Sequence, residues 1–163
     1  MNLRILATGG TFDKVYDPLT GALTFADTCI ETLLAQCRTD AVVQTVMLMD
    51  SLEMDDSHRQ LVVQACRSAA EPRLVIVHGS DTMVETAAAL AAAGLAKTVV
   101  LTGAMVPNAL RGTDAPFNLG FAIGCARLAD PGVWVAMNGC LHRHDNVRKN
   151  RALGRFEPLA PAA

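Results

Sequence analysis

Short apolar runs alternate along the chain with longer stretches of helical pattern, and polar punctuation closes nearly every apolar run. The first run, residues 3–7, predicts a strand that stops at Gly9-Gly10, because paired glycines let the backbone turn sharply. Residues 12–25 read as a loop of hairpin-like character, punctuated by Asp17-Pro18 and Gly21. Asp27 or Thr28 stands where a short polar side chain can cap a helix over 29–38. The β-branched run 41–49 predicts a second strand, closed by the polar residues 50–56, and Ser57 is placed to cap a helix reaching residue 70. A third strand over 74–77 ends at His78-Gly79-Ser80-Asp81, and an alanine-rich helix over 83–93 stops at Gly94. The fourth strand, 98–101, leads through residues 102–114 to a helix opening at Ala115-Pro116, with proline in the first turn and Asp114 as its expected cap. Residues 132–137 predict the fifth strand, 138–155 read as a polar tail, and 156–158 offer a short edge segment.

Strands that alternate with helices in this way predict an α/β fold: a single-domain, three-layer α/β/α, doubly wound arrangement with a mainly parallel sheet. In such sheets functional groups gather beyond the carboxyl ends of the strands. Those ends are residues 8–11, 50–53, 78–82, 102–104 and 138–149, and every conspicuous polar cluster of the chain lies at one of them. Position alone nominates them as one site.

Composition narrows the class. A chain of 163 residues fits one domain with a real core. It is 51% hydrophobic but only 4% aromatic, a mix dominated by Ala, Val and Leu that suits a packed parallel sheet. Fourteen basic residues against sixteen acidic ones give a net charge of −2, and no basic stripe precedes residues 143–155, so nucleic acid is not an expected partner. Five scattered cysteines without a C-x-x-C pair read as reduced thiols of a cytoplasmic protein. The N-terminus enters the first strand at once, without a leader pattern. Gly94 and Lys97 interrupt the most apolar run, so no membrane contact is expected either.

The strand ends then supply chemistry. At Thr8-Gly9-Gly10-Thr11 the glycines expose a hydroxyl, and Thr11 can attack a carbonyl if a neighbour accepts its proton. The same turn also suits a plain strand-to-helix connection or half of a nucleotide loop, although G-x-G-x-x-G and a phosphate-loop lysine are absent. His78-Gly79-Ser80-Asp81-Thr82 offers a second hydroxyl and a carboxylate, or else a helix cap, with His78 either a base or a structural hydrogen-bonder. Lys149 lies among Arg143, Arg148 and Arg151, which reads as a solvated basic face unless a carboxylate near Lys149 prepares it to take a proton. His142-x-His144 with Asp145 is a metal-ligand fragment lacking further defined ligands, and no metal is expected. Tyr16, the only tyrosine, is either a packed loop residue or a phenol near Thr11.

Together these segments resemble the bacterial-type L-asparaginase/glutaminase family. The resemblance rests on Ala7-Thr8-Gly9-Gly10-Thr11-Phe12, His78-Gly79-Ser80-Asp81-Thr82-Met83 with Glu85-Thr86, Gly103-Ala104-Met105 with Pro107, and Pro116-Phe117-Asn118-Leu119, in the family's order. It implies Thr11 as nucleophile, Tyr16 on a flexible loop as its activating neighbour, and Ser80, Asp81 and Lys149 as a second catalytic group. Gly10, Ser51, Leu52, Gly79, Ser80, Asp81 and Ala104 are then expected to bind substrate, Ser51 by holding its carboxylate. Amides near Ser80 and Ala104 would stabilise the oxyanion. Ser80 replaces the threonine usual in the family, which keeps the hydroxyl and loses the methyl that fixes its rotamer.

The resemblance implies hydrolysis of a small-molecule amide, L-asparagine in the first place, through an acyl-threonine intermediate with release of ammonia and no cofactor. It spans 1–163 as an N-terminal-type catalytic domain, and the family's C-terminal domain, which supplies a glutamate to the neighbouring subunit's site, is expected to be absent. Glu53 is a candidate substitute carboxylate. A homodimer or higher homo-oligomer is expected. Two other readings stay open: a non-catalytic pseudoenzyme that binds a small amino acid, and an amidotransferase component that feeds ammonia to a partner.

Overall fold

The computed structural model describes residues 2–159. Strand β1 (Leu3–Gly9) is followed by a hairpin of β2 (Lys14–Asp17) and β3 (Ala22–Phe25), then helix α1 (Ile30–Gln36) and strand β4 (Val42–Met49). Helix α2 (Asp56–Ser68), β5 (Arg73–Val77), α3 (Met83–Ala92), β6 (Thr98–Thr102), α4 (Ala115–Leu128) and β7 (Gly132–Met137) complete the alternation. Three short strands close the described chain: β8 (Cys140–Arg143), β9 (Arg148–Asn150) and β10 (Arg155–Glu157).

The main sheet has the order β4-β1-β5-β6-β7-β8. Its first five members pair in parallel, and β8 adds antiparallel to β7. Alternate residues of each strand point to opposite faces. Leu6, Leu74, Ile76, Val99 and Leu101 pack with Val62, Val63 and Cys66 of α2 and Met83, Ala87 and Leu90 of α3. Ile5, Ala7, Val75, Val77 and Val100 pack with Ile30, Leu33 and Leu34 of α1 and Leu119, Ala122 and Ala126 of α4. Each fully buried aliphatic side chain contributes about 1.5–3 kcal/mol, so the two faces together fix the three-layer α/β/α architecture.

The structure departs from the sequence expectations at four places. Helix α1 begins from Cys29 without a side-chain cap, and Asp27 instead accepts from the Thr28 amide at 2.8 Å. The tail beyond residue 137 is not free of structure. Asn138 (φ 56°) and Gly139 (φ 75°) form a two-residue turn, and Met137 pairs with Cys140 across it. Asn-Gly is the strongest short hairpin signal, but the strand after it is short, polar and at an edge, which hid it. Helix α2 is capped by Asp55, whose carboxylate accepts from the His58 amide while His58 reaches back to the Asp55 amide; Ser57 instead donates to Asp55 at 2.6 Å. Asp114 does not cap α4. Its carboxylate turns back to accept from the amides of Met105 and Val106 at 3.0 Å.

Candidate active site

Strand order places the site. From β1 the chain crosses to β4 on one side, then returns past β1 to β5 on the other. Where connections diverge in this way, a crevice opens between the carboxyl ends of the two strands, here β1 and β5. Gly10 follows β1 at φ 72°, and its amide donates to Met49 O at 2.9 Å. A β-carbon on Gly10 would collide with the Gly79 backbone, and one on Gly79 would collide with the Ser51 side chain. Three strand ends are therefore in direct contact because two of them lack side chains. Thr82 Oγ1 donates to Ser51 O at 2.8 Å and ties the third end in place. Thr11, Ser51, Ser80 and Asp81 are thus gathered at one edge of the sheet.

Lys149 comes from β9, far along the chain. Its Nζ donates to Ser80 Oγ at 2.8 Å and pairs with Asp81 Oδ1 at 3.0 Å. Ser80 is buried and the Lys149 side chain is only 11% exposed, so this contact is shielded far better than a surface ion pair. Because Ser80 Oγ accepts from Lys149, its own proton is free to be donated elsewhere. Ser51 is also buried, and its Oγ has no partner among the described residues. A buried unpaired hydroxyl is costly, and this one lies against the Gly79 turn.

The other expected residues divide. Thr11 opens a single 3-10 turn, Thr11–Asp13, and is half-buried. Tyr16 lies on β2 opposite Leu23 and is 58% exposed; no hydrogen bond joins it to Thr11 among the described residues. Ala104 is buried just beyond β6. Leu52 is exposed, and its amide is taken by Asp50 Oδ1 at 3.0 Å. Glu53 is exposed beside it. Neither Ser80 nor Asp81 caps α3, whose first turn has no side-chain cap; both are engaged by Lys149.

His78 is not a base. It is fully buried, its Nδ1 lies 2.8 Å from Gly79 O and its Nε2 2.9 Å from Thr86 Oγ1. A carbonyl only accepts, so Nδ1 carries the proton and Nε2 accepts from Thr86. Burial pushes its pKa down to about 4. The neutral ring pins the turn that presents Ser80 and Asp81. His142, His144 and Asp145 do not assemble a centre: Asp145 pairs with Arg143 at 3.1 Å, and among the described residues no group of three such side chains could hold a metal ion.

Four contributors escape the sequence reading. Arg151, which the sequence places on a solvated face, pairs with Asp81 Oδ1 at 2.6 Å. Lys14 pairs with Asp50 Oδ2 at 2.6 Å and holds that carboxyl below its usual range, fastening the hairpin to the Ser51 turn. Asp13 accepts from Cys29 N and Thr28 Oγ1, both at 3.0 Å. Asn118 donates to Gly103 O at 3.0 Å and to Asp114 at 2.8 Å and accepts from Asn138 N at 3.2 Å. None follows a local periodicity, since each joins segments distant in sequence.

With this geometry in place, comparison with known proteins is specific. The family described as Asparaginase, N-terminal matches residues 2–156. An L-asparaginase of Thermococcus kodakarensis is 30% identical over 161 residues, covering 94% of this chain and 49% of that protein. A glutamyl-tRNA(Gln) amidotransferase component of the same organism is 34% identical, covering 91% of this chain and 37% of that protein. The solved structure of the thermostable L-asparaginase from Thermococcus kodakarensis superposes with a TM-score of 0.82 at 29% identity, over 97% of this chain and 51% of that one. The chain thus spans about half the length of the L-asparaginase it matches.

Proposed function

We propose, from the premise that this chain belongs to the asparaginase N-terminal family, that it is an amidohydrolase releasing ammonia from L-asparagine with Thr11 as nucleophile. The observation that carries this reading is the shielded Ser80–Asp81–Lys149 cluster, at 2.8 and 3.0 Å, on the same sheet edge as Thr11 and the unpaired Ser51 hydroxyl. Ser51 Oγ receives the substrate carboxylate. Thr11 Oγ attacks the amide carbonyl, and amides near Ser80 and Ala104 face the oxyanion. The C–N bond breaks as the Thr11 proton passes to the leaving nitrogen, giving ammonia and an acyl-threonine ester. Water then adds to the ester, releasing aspartate and restoring the threonine hydroxyl.

Ser80, oriented by Lys149, directs its proton toward the reacting groups. Lys149 is held between the Ser80 hydroxyl at 2.8 Å and the Asp81 carboxylate at 3.0 Å, which fixes its Nζ beside the hydroxyl it orients. Tyr16 reaches Thr11 when the hairpin closes over bound substrate, a motion consistent with its exposure in the open state. No metal or organic cofactor takes part. The chain acts in the cytoplasm as a homo-oligomer, in which a second copy shields the crevice from water.

Ammonia release from L-asparagine by the purified protein, abolished in Thr11→Ala, is the test. No ammonia from asparagine, glutamine or dicarboxylic acid monoamides would sink the reading. The similarity to an amidotransferase component favours one alternative, ammonia delivery to a partner. That alternative predicts a stable heteromeric complex and poor turnover of free asparagine.

A further inference from the structure

Asp81 has more cationic neighbours than one carboxylate balances. Its Oδ1 takes Lys149 Nζ at 3.0 Å and Arg151 Nη1 at 2.6 Å. Arg151 Nη2 also donates to the backbone oxygen of Asp81 at 3.3 Å. Lys149 alone neutralises the carboxylate, so Arg151 leaves the crevice with one uncompensated positive charge. Nearby charges do not offset it. Lys14 is paired with Asp50, and Arg148 and Arg155 share Glu157. Among the described residues no second carboxylate pairs with Lys149 or Arg151.

This arrangement bears on what the crevice accepts. An ammonium arriving at Asp81 meets a carboxylate already shared by two cations, like charge near like. A ligand carboxylate meets the opposite situation. Arg151 is 65% exposed and comes from the loop between β9 and β10, so an exposed, weakly held side chain can swing aside at small cost. Ammonium-bearing amides bind after displacing it, whereas amides without an ammonium bind with it in place.

We propose that Arg151 is a specificity-determining residue: it holds the position on Asp81 that a substrate ammonium would take and turns the crevice toward carboxylate-bearing amides without one, the monoamides of dicarboxylic acids. The inference rests on the amidohydrolase reading for its substrate class, but its electrostatic content is separable.

The test compares L-asparagine with succinamic acid, the same amide lacking the amino group, in the wild-type protein, Arg151→Gln and Arg151→Lys. Ammonia release gives KM and kcat for each. Arg151→Gln is expected to lower KM for asparagine about two- to fivefold, the size of an exposed ion pair, while leaving that for succinamic acid unchanged or higher. Arg151→Lys keeps the charge and is expected to keep the wild-type preference. Calorimetric binding of L-aspartate and succinate to the same three proteins supplies a readout that needs no turnover. An asparagine-to-succinamate preference unmoved by Arg151→Gln overturns the proposal. If no amide is hydrolysed, the amidohydrolase reading fails, and the aspartate-to-succinate affinity ratio then decides this one. A ratio unmoved by Arg151→Gln, or binding of neither acid, overturns it.

Discussion

At the scale of single residues, two positions without catalytic chemistry, His78 and Gly79, shape the crevice. His78 is buried and neutral, its pKa pushed from the ordinary 6.5 to about 4. The folded state resists a proton that the unfolded chain accepts, so the contribution is complete above pH 6.5 and is lost as pH falls toward 4. A gap of that size corresponds to roughly 3 kcal/mol at full expression. Urea unfolding at pH 7.5 and 4.5 is expected to show the loss, and the imidazole resonance of His78 should stay in its neutral position through the 6–7 range and reach its midpoint only near pH 4. A resonance titrating near 6.5 would contradict the buried hydrogen-bonded ring. Gly79 acts by having no side chain, since a β-carbon there would strike Ser51. Gly79→Ala is expected to cost about 1–3 kcal/mol, the usual range for overpacking, and to raise KM because Ser51 must shift. Unchanged KM with full stability would show that the contact is looser than the geometry says.

At the scale of elements, the hairpin β2–β3 is the part that the proposed closure over substrate moves. Beyond its own pairing, which includes Lys14 over the Phe25 ring, it is fastened by Lys14 reaching Asp50 at 2.6 Å. Lys14→Met is expected to cost less than about 1 kcal/mol, because both partners are partly exposed. It should nevertheless speed amide exchange over residues 14–25 and raise KM, and hydrogen exchange that stays at the wild-type rate would contradict a fastening role. The same element shows what the sequence could reveal. Asp17-Pro18 and Gly21 mark the turn clearly, and the pairing of Tyr16 with Leu23 follows; where the hairpin stands relative to Thr11 does not, because that depends on a lysine meeting an aspartate in another loop. The five parallel strands were legible from apolar runs, and the strand-end rule put Thr11, Ser51, Ser80 and Asp81 on one edge. Caps were less legible, since Asp55 and Ser57 are equally good residues two positions apart. Asp114 spends its carboxylate on a neighbouring loop. Arg151 could not be told from a solvated arginine, because its partner lies 70 positions away.

At the scale of the whole molecule, the parallel sheet supplies the edge that carries Thr11, but Lys149 arrives on the antiparallel annex beyond β7. Something must hold that annex in register with the sheet. The polar path runs through Asn118 of α4, which accepts from the Asn138 amide at 3.2 Å and donates to Gly103 O at 3.0 Å. Asn138 Oδ1 then accepts from Phe156 N at 2.9 Å, and Phe156 pairs with Lys149 in the β9–β10 ladder. Asn118 is fully buried, so Asn118→Ala leaves a carbonyl and an amide without partners, at about 1–3 kcal/mol each. The expected outcome has two parts. Urea unfolding shows a loss of several kcal/mol, and the protein that remains folded loses kcat for ammonia release more than it gains KM, because Lys149 no longer sits squarely on Ser80. A conservative replacement separates the two: Asn118→Asp keeps an acceptor for Asn138 but loses the amide donors to Gly103 and Asp114, and should restore less stability than activity. If Asn118→Ala lowered stability while kcat per folded molecule stayed at the wild-type value, the annex would be held by the Phe156 and Val147 packing alone, both of which are buried in the α2–α3 side of the core.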